Sequence, residues 1–506
     1  MYHLRRCILA LTLSSYFAVA LTLSVLPAQR ITPTSVTWNK CLDQTDGLDC
    51  GTLEVPIDWD DPYGHTIHLH MSRLRSVKTI PLGTLFFDSG NVDRPGSLQC
   101  TDGSTFYYRF SPRLRYNFNI VCLDRRGIGG SNPVNCDAAL WNEIGSFFPT
   151  DQAGFDTLNS WSLKWADSCY ERSGLGIGVT DATTAALDWE AVRIAEGESN
   201  GDSMMNMFAQ GHATNIATRY AELFPEKVRA MVLDSPIDHS LNQSELLRTV
   251  SLANEDAILR FTKWCTRHPQ CPWQKRGPLN LLEGLVAALN RRPKHEPLCL
   301  PEHRGDFPQA GNCRTKVSGH HIIENMVRRL DDPTDEAYQA LAQDLAAALD
   351  GFPVNLSTPI AVGSDRHFAN TATHCADWGT DVKTFEQHRA LQELAHEAAP
   401  RTLGSASVMR AISMCMNWPY PARNPPRPVD DSRVRLVRHP TLILASAYNP
   451  SAPLSWAQSL HRQIPNSKLI TTTGKGNPAH HWSQRAQDIV EEYVVKLNIE
   501  NVELIP

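Results

Sequence analysis

No block of Lys or Arg interrupts the 506 residues of this chain, and 48 Lys+Arg against 54 Asp+Glu leave a net charge of −6. A nucleic-acid surface therefore has no electrostatic footprint, and a small-molecule or peptide ligand is expected instead. No Cys/His group has zinc-ligand spacing, so a structural metal is not expected, and no cofactor is expected either. Internal repeats and low-complexity tracts are also missing, which excludes a solenoid. With 42% hydrophobic and 20% charged residues the composition is that of a globular protein. The length exceeds one ordinary domain, so a large core with a second module or long insertion is expected.

The N-terminus carries Arg5 and Arg6 and then an apolar run from Cys7 to Pro27. This is an export signal over residues 1–28, with cleavage after Ala28 expected and an uncleaved anchor the alternative. The protein is expected to be secreted, with membrane contact only in the anchored case. Asn242-Gln-Ser244 and Asn355-Leu-Ser357 are glycosylation sequons. Thirteen cysteines, twelve once Cys7 leaves with the signal, indicate an oxidising compartment. Sequence proximity suggests Cys41 with Cys50, Cys136 with Cys169, Cys265 with Cys271, Cys299 with Cys313, and Cys375 with Cys415. Cys122, inside an apolar run, is expected to be a buried thiol.

Short apolar runs alternate with helical patterns: Gly83–Phe87, Phe118–Asp124, Met204–Gln210, Val228–Leu233, Pro440–Ala447 and Lys468–Thr473. Continuous apolar strands separated by helices predict an α/β fold with a mostly parallel sheet. Thr66–Leu74 alternates polar with apolar residues, as an antiparallel edge hairpin would. Between Ile237 and Arg438 the strand rhythm gives way to helical stretches such as Ser244–Thr266 and Asp335–Leu349. The expected division is a core over 29–239, a mainly helical, disulfide-bearing cap over 240–435, and the rest of the core over 436–506. A cap so placed covers the sheet's C-terminal edge, where ligands bind in open α/β sheets.

Several segments, in order, resemble the secreted tripeptidyl-aminopeptidase and proline-iminopeptidase-like (TAP-like) branch of the α/β hydrolases. They are Cys50–Asp58, the Asp124-Arg-Arg-Gly-Ile-Gly-Gly-Ser131 segment with Cys136 after it, Tyr220–Asp234, Cys415–Pro419 and Pro440–Leu444. The resemblance implies an α/β-hydrolase fold and a Ser-His-Asp triad, with serine on a tight turn between strand and helix. Here that turn reads Ala209-Gln210-Gly211-His212-Ala213, so the nucleophile position holds Gly211. The acid position holds Asn449, and the histidine position, in Gly474-Lys-Gly-Asn477, holds Asn477. His480 or His481 enters the site if that loop has lengthened; otherwise both lie on a surface loop. Asp234 or Asp238 is a candidate relocated acid, though Asp234 reads more simply as a strand-end turn residue.

A literal Gly197-Glu-Ser199-Asn-Gly201 precedes the strand instead of following it, and reads as a polar turn with a helix end at Gly197. The resembled family's oxyanion loop falls on residues 87–97, where most of the family's glycines are gone. Asp88, Asn91, Asp93 and Arg94 there, with Gln210 and His212, are the remaining pocket candidates. These departures suggest a pseudo-hydrolase that binds a ligand or performs non-hydrolytic chemistry, such as cyclisation or isomerisation of a small metabolite. The alternative is an active serine exopeptidase or esterase acting on peptides or small-molecule acyl bonds.

Overall fold

A computed structural model describes residues 35–41, 47–90, 95–101, 110–143, 146–200, 204–295, 316–332, 334–357 and 366–499. Nine strands form the main sheet in the order β1-β2-β3-β5-β4-β6-β7-β10-β11. They are β1 (Thr37–Lys40), β2 (Leu48–Pro56), β3 (Thr66–Leu74), β4 (Gly83–Asp88), β5 (Phe118–Leu123), β6 (Met205–Gln210), β7 (Val228–Asp234), β10 (Thr441–Tyr448) and β11 (Ser467–Lys475). From β5 through β4, β6, β7, β10 and β11 every pairing is parallel, whereas β1, β2 and β3 pair antiparallel. The segment Thr66–Leu74 makes the expected hairpin with β2, but it is not at the edge: β5 lies on its other side and β1 is outermost.

Strands β4, β5 and β6 are buried at every position, which is why they read as unbroken apolar runs. Helices cover both faces. On one, Trp189 and Val192 of Ala182–Asn200, Ile216 and Tyr220 of Ala213–Leu223, and Leu460 of Leu454–Gln463 pack over Phe86, Met207 and Leu233. On the other, Val490 and Tyr493 of Gln484–Lys496 pack with Phe87, Phe208 and Val232.

The cap contains the helices Gln243–Arg267, Pro278–Arg291, Gly319–Arg329, Asp335–Leu349, Arg366–Asp377, Phe385–Ala398 and Ala406–Cys415, with a small antiparallel pair of β8 (Lys294–His295) and β9 (Lys316–Val317). A helix from earlier in the chain, Gln152–Ser173, joins them. Its Phe155 and Leu158 pack with Met409 and Ile412, and its Trp165 with Phe368. The cap is thus assembled from two stretches of chain, one of them inside 29–239.

Disulfides join Cys41–Cys50, Cys136–Cys169, Cys265–Cys271 and Cys375–Cys415. Cys299 and Cys313 lie outside the described residues, as do 1–34 with the apolar N-terminus. Cys122 is not a free thiol: it pairs with Cys100 from the short helix Leu98–Thr101, which crosses behind β5. Five disulfides are consistent with an extracellular protein. Among the described residues no helix is long and apolar enough to cross a membrane.

Candidate functional site: the elbow and the cavity above it

The chain leaves β6 at Gln210, turns at Gly211 with φ +52° and enters the helix Ala213–Leu223. That left-handed turn is the sharp strand-to-helix elbow on which a nucleophile would be presented. Gly211 N–H donates to Asp234 O at 3.0 Å, and the Thr214 hydroxyl donates to Gly211 O at 2.6 Å while accepting Ile237 N–H at 3.0 Å. Thr214 is therefore consumed in holding the turn. A Cβ added at Gly211 meets nothing within 4 Å, so the space for a side chain is open. The loop after β4 lies directly on the elbow: at Gly90, φ +66°, a Cβ would come within 1.9 Å of Gln210 O, which only glycine avoids.

Asn449 and Asn477 face one another. Asn449 Nδ2 donates to Asn477 Oδ1 at 3.2 Å, and Asn449 Oδ1 accepts N–H bonds from Ser451 and Ala452, both 2.9 Å. Neither predicted histidine lines the cavity described below. His480 is buried, its ring edge-on to Phe208 with centroids 5.0 Å apart on the far face of the sheet, so it is not a surface residue. His481 is exposed beside Trp482. Both His480 and Ala479 are tied down by Asp234, whose carboxylate accepts their backbone N–H groups at 3.1 and 2.9 Å and the Gln210 Nε2–H at 3.1 Å. Asp234 is therefore an anchor for this loop, not a plain turn residue. Burial pushes its carboxyl up to about 6 against those hydrogen bonds. Asp238 accepts from Ser240 and Gln463.

His212, first residue after the elbow, is held by two partners. Its Nε2 lies 2.8 Å from Asp377 Oδ2, and its Nδ1 lies 3.0 Å from Arg125 Nη1. Arginine only donates, so Nδ1 accepts and the ring proton sits on Nε2, facing the carboxylate. Arg125 is in turn 3.6 Å from Asp88, whose other oxygen accepts Gly90 N–H at 2.9 Å. Asp377 is fully buried and also accepts from Ala182 N and Asn424 Nδ2, both 2.9 Å. Burial would raise its carboxyl, but the hydrogen bonds from His212 Nε2 and Ala182 N hold it below the usual range. Sequence reasoning found His212 and Asp88 but missed Asp377, Asn424 and Arg125 as their partners. Arg125 stood in the Asp124–Ser131 segment, and for Asp377 the Cys375-Ala-Asp377 run at the end of a cap helix was the local signal.

A cavity of about 320 Å³ lies between the elbow and the cap. Its walls come from His212 and Pro450–Ser451 of the core and from Trp141, His374, Trp378 and Met414 of the cap, among others. Gln210 and Asp88, engaged with Asp234 and Arg125, are not in its lining. Asn91, Asp93 and Arg94 lie outside the described residues. Ser199 belongs to the helix Ala182–Asn200, which runs past Gly197 and ends before β6, so this serine is upstream of the strand. Of the sequon asparagines, Asn242 caps the helix Gln243–Arg267 by accepting Glu245 N–H at 3.0 Å, and Asn355 donates to Asp344 at 2.7 Å. Among the described residues no group of three or more His, Cys, Asp or Glu is placed to hold a metal ion.

Residues 401–503 match the family model described as TAP-like protein. Over 483 residues the chain is 23% identical to the serine protease Hip1 of Mycobacterium tuberculosis, covering 91% of this chain and 88% of that protein. It is also 23% identical to the tripeptidyl aminopeptidase of Streptomyces lividans, covering 90% and 83%. Among solved structures, the proline iminopeptidase of Mycobacterium smegmatis aligns with a TM-score of 0.38 at 10% identity, over 88% of this chain and 98% of that one. With the strand order and the elbow between β6 and its helix, the chain has an α/β-hydrolase fold, and in sequence it is similar to the TAP-like proteins.

Proposed function

We propose that this protein is a pseudo-hydrolase that uses the cavity above Gly211 to bind a ligand, or to guide a non-hydrolytic rearrangement of it, without forming an acyl-enzyme. The observation that carries this reading is the elbow itself. It keeps the backbone turn that presents a nucleophile but offers a glycine with open space where the attacking oxygen would stand. The residues at the acid and histidine positions support it, since Asn449 and Asn477 bond to each other and neither can take a proton from an attacking group. What remains beside the cavity is a fixed imidazole, His212, whose proton lies between Nε2 and a buried carboxylate. Such a group orients a polar atom or steers a proton without covalent attachment.

A second reading, an active serine peptidase or esterase, accords with the names of the relatives and has one geometric observation in its favour. Ser451 lines the cavity and its hydroxyl reaches both oxygens of Asp331 at 2.8 Å, a carboxyl that burial pushes up to about 7. One experiment separates the two: treatment with a fluorophosphonate probe, mapping of the labelled peptide, and assay on tripeptidyl and aminoacyl p-nitroanilides. The pseudo-hydrolase reading expects no stoichiometric label and no turnover. Labelling of Ser451 or Ser199, with turnover lost in the matching alanine variant, would overturn it.

A further inference from the structure

The cavity between elbow and cap has no acid in its lining among the described residues. Its one charged lining residue, Arg410, is already paired with Glu324. Of its three lining histidines, His374 is pushed down to about 4 by burial and is neutral at ordinary pH, His212 accepts from Arg125 through a bare Nδ1, and His367 lies flat against Trp141. A cationic amine entering this space would lose its water and find no carboxylate, which is prohibitive for a buried charge. An anion would find no unpaired cation.

The walls are rich in flat rings. His367 stacks on Trp141 with centroids 4.9 Å apart, His374 stacks on Trp378 at 5.2 Å, and Trp456 closes another side. Two buried polar atoms are left over. Asn254, only 2% exposed, has an Oδ1 with no partner among the described residues, and the same is true of Trp378 Nε1. Both residues line the cavity. Neither atom has accessible surface, so both are sealed in the wall and leave the rings to set what the space accepts.

We infer that the cavity takes a neutral, planar aromatic small molecule, and that it discriminates against the free amine of a peptide. This rests on the reading of the cavity as a ligand site and deepens it by naming the ligand's chemistry. The volume of about 320 Å³ is at the small end for such sites and suits a fused two-ring system rather than a tripeptide.

The test is a matched series titrated into the full chain by calorimetry: 2-naphthamide, 2-naphthoate, 2-naphthylmethylammonium and the tripeptide Ala-Ala-Phe. Naphthamide is expected to bind at least about tenfold more tightly than each of the others, the charged probes losing the equivalent of one or more unpaired charges. The ranking is read on the wild-type chain and needs no variant. Equal or tighter binding of the ammonium, the carboxylate or the tripeptide overturns the inference, as does no binding of naphthamide. Turnover of p-nitroanilides together with the neutral-first ranking would overturn the pseudo-hydrolase reading and leave this ligand class standing.

Discussion

Asn449 gives its Nδ2 proton to Asn477 Oδ1 across 3.2 Å, which inverts the polarity expected of a triad acid: the residue after β10 donates where a carboxylate would accept. The frame is retained while the proton traffic is not. Gly211→Ser alone therefore gains an oxygen with no base beside it. The triple variant Gly211→Ser/Asn449→Asp/Asn477→His is expected to react with a fluorophosphonate at least about a hundredfold faster than Gly211→Ser, the scale of a positioned general base. Gly211→Ser should itself cost about 1–2 kcal/mol in urea unfolding, because φ is +52° there although the space is open.

His212 and Asp377 make the other polar pair at the elbow, and the carboxylate also holds the N-terminal turn of the helix that begins at Ala182 and the side chain of Asn424. Asp377→Asn can accept at only one of its two positions, so at least one buried donor is stranded. A loss of about 2–3 kcal/mol is expected by denaturant titration. The His212 ring nitrogens should shift in NMR away from the Nε2–H tautomer, a change that a merely looser cap helix would not produce.

The parts of this molecule that were legible in the sequence are those governed by local pattern. Strands such as Leu85–Phe87 and Met207–Ala209 are buried on both faces, so their apolar runs announce them, and the passage from Gln210 to His212 marks the elbow. What was not legible depends on chain that returns from a distance. Asp377 meets His212 across 165 residues, and no spacing rule encodes such a contact. The apolar positions of Gln152–Ser173 gave no sign that their partners were Met409 and Ile412 of the cap. His480 follows the last strand, as a site histidine would, yet packs against Phe208 because Asp234 draws the backbone of its loop inward.

Cys122 read as an isolated apolar thiol because its partner, Cys100, lies 22 residues back in a stretch with no strand or helix pattern. The pair closes that loop behind β5, the strand joining the antiparallel and parallel parts of the sheet. Peptide mapping without reduction should recover Cys100 linked to Cys122. The double variant Cys100→Ser/Cys122→Ser should unfold with about 2–4 kcal/mol less stability, the usual worth of closing a loop of this size.

The loop that carries Asn477 and His480 is fastened to the sheet by one buried carboxylate, Asp234, which makes its anchorage dependent on pH. Burial moves this carboxyl from 3.8 to about 6 in the folded chain. Between those values the folded state holds a proton that the unfolded state has lost, so stability falls as pH rises from about 4 to about 6 and is flat beyond. The whole effect is about 3 kcal/mol. Asp234→Asn cannot titrate, and its Nδ2 cannot accept both the Gln210 and His480 donors, so the variant should be less stable by about 1–3 kcal/mol at low pH. Its deficit relative to the wild type should shrink as pH is raised through 6, because only the wild type bears the growing cost of a buried charge. Urea unfolding of both proteins at intervals from pH 4 to 7 measures that difference directly. A deficit that stayed constant, or grew, across this range would mean that Asp234 is charged throughout and that its hydrogen bonds to Ala479 and His480 outweigh its burial.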